Sequence, residues 1–122
     1  MKFCLSTIMV KDMAESLKFY QDIIGLTPNQ RFQVGPDMEI AFLGEGETQI
    51  ELICDGNAQE GINIGEGISL GFEVKDLDKM LDFIKKEKIQ IHSGPFQPNP
   101  NTRFFYILDP NGLKIQFIEQ KK

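Results

Sequence analysis

Val10-Lys11-Asp12-Met13 returns at an offset of 64 (Val10 to Val74) as Val74-Lys75-Asp76-Leu77, and Leu17 and Phe19 return as Leu81 and Phe83. Farther along, Ile50-Glu51-Leu52-Ile53 is answered at an offset of 65 by Ile115-Gln116-Phe117-Ile118. Each of these runs follows a tight turn, Gly44-Glu45-Gly46-Glu47 or Asp109-Pro110-Asn111-Gly112. A repeat of this length means that one supersecondary module is written twice along the chain.

Working outward from the repeat, each half opens with an alternating strand, over 3–10 and 68–74. In the second, Ile68, Leu70, Phe72 and Val74 share one face, while Ser69, Gly71 and Glu73 share the other. A helix follows each strand. Asp12 and Asp76 have the type and place of N-caps, and Glu15 stands three residues beyond Asp12, as in a capping box. Gly25 is placed to close the first helix in the left-handed region. Met13, Leu17, Tyr20 and Ile24 fall at helical spacing, as do Leu77, Leu81 and Ile84, and both stripes predict core. Lys85, Lys86 and Lys88 suit the dipole at the end of the second helix and predict a solvated face.

Three strands follow each helix, predicted over 29–35, 38–44 and 48–54, then 89–92, 102–108 and 113–119. The order strand-helix-strand-strand-strand, twice, predicts an α+β fold of two βαβββ modules, 1–54 and 68–119, in a single domain over 1–122. The glycine- and acid-rich stretch 55–67 reads as a linker passing over the surface. The proline-rich stretch 93–101 is long for a strand connection and reads either as a lid or as a rigid connector.

With 122 residues, 41% of them hydrophobic, the chain can build one core and has no room for a second independent domain. Thirteen basic against 18 acidic residues give a formal charge of −5, and the acidic residues are dispersed, which argues against a nucleic-acid partner. The apolar runs are strand-sized and the N-terminus lacks a signal-peptide pattern, so a cytoplasmic protein without a membrane partner is expected. Cys4 and Cys54 are too few for a disulfide framework and read as reduced, strand-borne residues.

The Val10-Lys11-Asp12 turn into Ser16-Leu17-Lys18-Phe19-Tyr20, the Gly25-Leu26 close, and Asp109-Pro110-Asn111-Gly112-Leu113-Lys114-Ile115 resemble the glyoxalase I family. That family belongs to the glyoxalase, bleomycin-resistance and extradiol-dioxygenase (vicinal oxygen chelate) superfamily, and the resemblance covers nearly the whole chain. It implies that the two modules form a curved mixed sheet around a ligand cavity, and that the protein is a homodimer. In metal-dependent members each module gives one ligand from its first strand and one from its last, usually His and Glu. Carried over residue by residue, those places fall at Leu5, Glu51, Ser69 and Gln116, and the repeat offsets pair Leu5 with Ser69 and Glu51 with Gln116. Only Glu51 has a strong metal-ligating side chain, whereas a catalytic divalent ion needs about three protein ligands. No metal and no cofactor are expected.

Ile50 and Leu52 should face the first helix, which turns Glu51 toward the face where the family binds ligands. There Glu51 reads either as a ligand anchor or general base, or as a structural carboxylate paired with Arg103, Lys114 or backbone donors. Strand alternation adds Thr7 and Met9 beside Leu5, Gln49 beside Glu51, Glu73 beyond Ser69, and Lys114 and Ile118 beside Gln116. Phe96, Arg103, Phe104, Phe105 and Tyr106 are candidates for a stacking surface and a cation, and the sole histidine, His92, reads as a surface or edge residue. A mixed lining of this kind suits a small organic ligand held by shape and a few hydrogen bonds.

Three functions fit. The first is a metal-free binding protein of the bleomycin-resistance type, taking a small amphipathic or aromatic compound between the modules. The second is a lactoylglutathione-lyase-like lyase or isomerase with Glu51 as base, which would lack the electrostatic help of a cation. The third is a non-catalytic interaction module.

Overall fold

A computed structural model describes residues 1–57, 62, 65 and 67–121. The chain divides into two compact units, Met1–Ile64 and Gly65–Lys122. Their boundary falls within the 55–67 stretch expected as a linker; of that stretch, 58–61, 63, 64 and 66 lie outside the described residues.

The first unit contains β1 (Leu5–Met9), α1 (Met13–Lys18) running into a π-helical turn (Phe19–Ile23), β2 (Pro28–Val34), β3 (Met38–Leu43) and β4 (Gln49–Asp55). The second contains β5 (Ser69–Glu73), α2 (Leu77–Lys86), β6 (Ser93–Asn99), β7 (Thr102–Leu108) and β8 (Lys114–Gln120). Both sheets have one topology, β1-β4-β3-β2 and β5-β8-β7-β6. In each, the first strand pairs in parallel with the last and the other pairs are antiparallel, so the sequence repeat is a repeat of architecture.

Both helices start where their caps predict. Asp12 Oδ1 accepts from the Glu15 N–H at 3.0 Å, and Asp76 Oδ1 accepts from the Lys79 N–H at 3.1 Å. The first helix does not run as a single α-helix to Gly25. It widens at Phe19, where the N–H of Ile24 reaches back five residues to the Phe19 carbonyl, and closes at Gly25 with φ +86° and a Leu26 N–H to Tyr20 carbonyl bond of 2.9 Å.

One face of each sheet carries the core. In the first unit Ile8, Val10, Ala41, Leu43, Ile50 and Leu52 are buried with Met13, Leu17, Phe19 and Tyr20 of the helix. In the second, Phe105, Ile107, Ile115 and Phe117 are buried with Leu77 and Ile84. Alternation along the strands then turns the intervening residues to the face opposite the unit's own helix, here called the open face.

The second strand of the second unit, β6, departs from expectation. Residues 89–92 are not a strand, and the proline-rich segment that reads as a loop is β6, paired with β7 through Ser93–Tyr106, Phe96–Phe104 and Asn99–Thr102. The physical reason lies in its position. Proline has no N–H to give a ladder and is tolerated on edge strands, and β6 is the outer strand, with Pro95 and Pro98 falling between the paired residues.

Candidate functional site

On the open face of the first unit, parallel pairing sets Leu5 beside Gln49 and Thr7 beside Glu51, and antiparallel pairing sets Phe42 on the other side of Glu51. Ile50 and Leu52, buried on either side of it in sequence, hold Glu51 in that orientation. The Thr7 hydroxyl donates to Glu51 Oε1 at 2.7 Å. Leu5 is exposed, Met9, Gln49, Glu51 and Ile53 are half-buried, and Phe32 stacks on Phe42 with ring centroids 6.3 Å apart. A hydrogen-bonded carboxylate thus stands in the middle of an apolar, partly open surface.

The second unit repeats the arrangement with neutral chemistry. Gly71 lies beside Gln116, and Tyr106 lies on its other side. The Gln116 side-chain amide donates to the Tyr106 hydroxyl at 3.3 Å. A Cβ at Gly71 would sit 3.1 Å from Gln116 Oε1, so the missing side chain leaves room for that amide. Ser69 pairs with Lys114 at one end of the face and Glu73 with Ile118 at the other. Phe104 contacts both Phe96 and Tyr106, at centroid distances of 5.4 and 5.8 Å.

Of the residues proposed from sequence, Leu5, Thr7, Gln49 and Glu51 therefore come together on one open face, and Ser69, Glu73, Lys114 and Gln116 on the other. Arg103 does not join them. It shares the helix-side parity of Phe105 and Ile107, and its guanidinium pairs with Asp78 of α2 at 3.0 Å. That hydrogen-bonded pair pushes the Asp78 carboxyl below the usual carboxylate range and the Arg103 guanidinium upward. Phe105 is fully buried, so the aromatic surface consists of Phe96, Phe104 and Tyr106.

His92 is exposed, in line with the surface reading, though it does not lie on a strand. With Gly65, Leu108, Gly112 and Lys114 it lines a cavity of about 290 Å³ in the second unit. No local signal marks it, because it lies outside any strand and meets Lys114 only through the fold.

Leu5, Glu51, Ser69 and Gln116 stand where the resemblance places the ligands of metal-dependent members. Leu5 has no ligating atom, Ser69 and Gln116 offer a hydroxyl and an amide, and the carboxylate of Glu51 is engaged by Thr7. Among the described residues no three His, Cys, Asp or Glu side chains gather into a metal-binding group. These residues do not fit a resident divalent ion.

Comparison with known proteins decides the family. The sequence model of the Glyoxalase/Bleomycin resistance protein/Dioxygenase superfamily matches residues 4–117. The chain belongs to this superfamily. Within it, the chain is 30% identical to the YwbC protein of Bacillus subtilis, covering 93% of each chain. It is 29% identical to a lactoylglutathione lyase of Haemophilus influenzae, covering 99% of this chain and 94% of that one. The glyoxalase I structure of Leishmania major, described as trypanothione-dependent, superposes with a TM-score of 0.82 at 21% identity, over 98% of this chain and 86% of that one. A glyoxalase family protein of Bacillus cereus gives the same score at 20% identity, over 100% and 95%. At those identities the two structures establish the shared fold. No helix among the described residues is long and apolar enough to cross a membrane.

Proposed function

We propose that this superfamily member is a binding protein for a small amphipathic or aromatic organic compound, which it holds on its open sheet faces without the metal used by glyoxalases. The observation that carries the reading is the pair of matched centres, Thr7–Glu51 and Gln116–Tyr106, each a hydrogen-bonding group set among half-exposed apolar side chains. Such a surface gives a ligand apolar contact and a small number of fixed polar partners. A fragment screen by two-dimensional NMR on the full chain tests it. Saturable shifts clustered at Thr7, Glu51, Gln116 and Tyr106 are expected, with affinity weakened by Glu51→Gln or Gln116→Ala; shifts scattered over the helices refute it.

The metal-free part of the reading has its own test. After incubation with nickel, zinc, manganese or ferrous iron and desalting, mass spectrometry should find far less than one ion per chain. Stoichiometric retention refutes the argument from the donor set.

The lyase relatives favour a second reading, in which Glu51 removes a proton alpha to a carbonyl. Turnover of the glutathione hemithioacetal, abolished by Glu51→Gln, would establish it. We take the protein to be cytoplasmic and homodimeric. Cys4 and Cys54 form no disulfide, and Leu5, Phe32, Val34, Phe96 and Leu108 are large apolar side chains left exposed on the sheets. A single-chain mass in light scattering at micromolar concentration refutes the dimer.

A further inference from the structure

The geometry points to an oxyanion subsite at the end of the second unit's open face: the His92–Lys114 cavity takes the carboxylate or phosphate group of a small organic acid whose body lies along Gln116 and Tyr106. This inference rests on the small-molecule reading and names the chemical class of the ligand.

The first observation is charge. The chain is acidic overall, at −5, yet the described lining of this cavity holds an ammonium and an imidazole and no carboxylate. Lys2, Arg31, Arg103 and Lys121 are paired with Glu47, Glu39, Asp78 and Glu119, whereas Lys114, like Lys85 and Lys86 on α2, is in no such pair among the described residues. Among the described residues no carboxylate lies within ion-pair distance of Lys114. Lys114 is half-buried as a residue, and a hydrogen bond from its ammonium to an external anion would be charge-assisted and so stronger than a neutral one.

The second observation is the local frame. The backbone N–H of His92 donates to the Tyr106 carbonyl at 2.8 Å, and the ring Nδ1 lies 3.3 Å from the Ser93 hydroxyl. Nδ1 is therefore occupied, which leaves Nε2 as the ring nitrogen free to meet a ligand. Leu108, an exposed apolar side chain paired in register with Lys114, supplies one wall. At about 290 Å³ the cavity lies at the lower edge of the size range of small-molecule sites, which suits one compact group rather than a whole cofactor.

The third observation is direction. On β8, Lys114, Gln116 and Ile118 follow one another on the same face, beside Leu108, Tyr106 and Phe104 of β7. Two residues of strand advance about 7 Å, so the amide–phenol pair stands about 7 Å from the cationic end and the Phe104–Phe96 pair about 14 Å from it. The face thus runs from cation through hydrogen bond to aromatic. An acid with its charge at one end and a planar or apolar body matches that order.

The test uses the full chain, NMR titration, and three probes: phenylacetate, phenyl phosphate and the neutral phenylacetamide. At least one oxyanion should bind with saturable shifts at His92, Gly112 and Lys114 and should bind more tightly than the amide, and whichever oxyanion binds better tells carboxylate from phosphate. Lys114→Gln should weaken that oxyanion by about ten- to a hundredfold, the range of one hydrogen bond to a charged group. His92→Gln should weaken it less, and Lys85→Gln, an equal change of net charge on α2, should leave it unchanged. Equal affinity for amide and oxyanions, with Lys114→Gln without effect, overturns the oxyanion subsite while the small-molecule reading stands. No saturable binding of any probe on the open faces overturns both.

Discussion

Glu119 gives the sharpest test of how the second unit is held together. It is a carboxylate only 6% exposed, on the helix side of β8 beside Phe117. Its Oε2 accepts from the N–H of Leu77, the first residue of α2, at 2.8 Å, and its Oε1 lies 4.0 Å from the Lys121 ammonium. The helix start adds its own favourable field for a negative charge. The equivalent residue of the first unit, at the offset of 65, is Cys54, which instead reaches the Lys11 carbonyl, so this cap belongs to one module alone.

Glu119→Gln keeps an acceptor for Leu77 and loses the charge. The bond falls from the class worth about 1.5–3 kcal/mol to that worth about 0.5–1.5, a cost near 1 kcal/mol. Glu119→Ala removes the acceptor altogether. It leaves the Leu77 N–H buried without a partner, which costs about 1–3 kcal/mol, and it also removes one packed methylene, worth about 0.8 kcal/mol. The alanine variant should therefore lose roughly 2–4 kcal/mol, against about 1 for the glutamine. Urea unfolding followed by circular dichroism reads both, as midpoint shifts at constant slope. Equal losses for the two variants, or a loss below about 1 kcal/mol for alanine, would refute the claim that this carboxylate ties β8 to the start of α2.

Asp12→Ala and Asp76→Ala should each cost about 1 kcal/mol through loss of the N-cap bond, read by the same unfolding assay. The Asp78 carboxyl, held low by Arg103, should titrate by carbon-13 NMR below the ordinary aspartate range, and Arg103→Gln should return it there. A depressed folded-state value means that the stability from this pair is present above the unfolded-state pKa and is lost as pH falls through the folded one, so the acid limb of the stability curve should weaken in the variant. Gly71→Ala should leave stability within about 1 kcal/mol, since the contact it creates is with the end of a flexible side chain, while displacing Gln116 and weakening its bond to Tyr106. An unmoved Gln116 side-chain amide resonance would contradict that.

Much of the fold was legible in the chain. The doubled Val-Lys-Asp turn located both helix starts, because an aspartate cap acts on an N–H three residues away and needs nothing distant. The buried Ile50 and Leu52 settled the direction of Glu51, because strand alternation is a local rule. The absence of imidazole at Leu5 and Ser69 is equally a matter of the sequence alone.

Three features waited for the tertiary structure. Pro95 and Pro98 read as loop residues until strand order put β6 on an edge, where their missing N–H groups cost no ladder. Arg103 read as a possible cation for the ligand until Asp78, 25 residues away in sequence, drew it to the helix side. His92 gained Lys114 and Leu108 as neighbours only when β7 and β8 paired and left a cavity beside the segment leading into β6. The sequence by itself determined what each residue can do within reach of its own backbone, namely caps, turns and alternating faces. Which distant groups share a surface depends on strand order and register, and these are fixed by burying the whole chain at once.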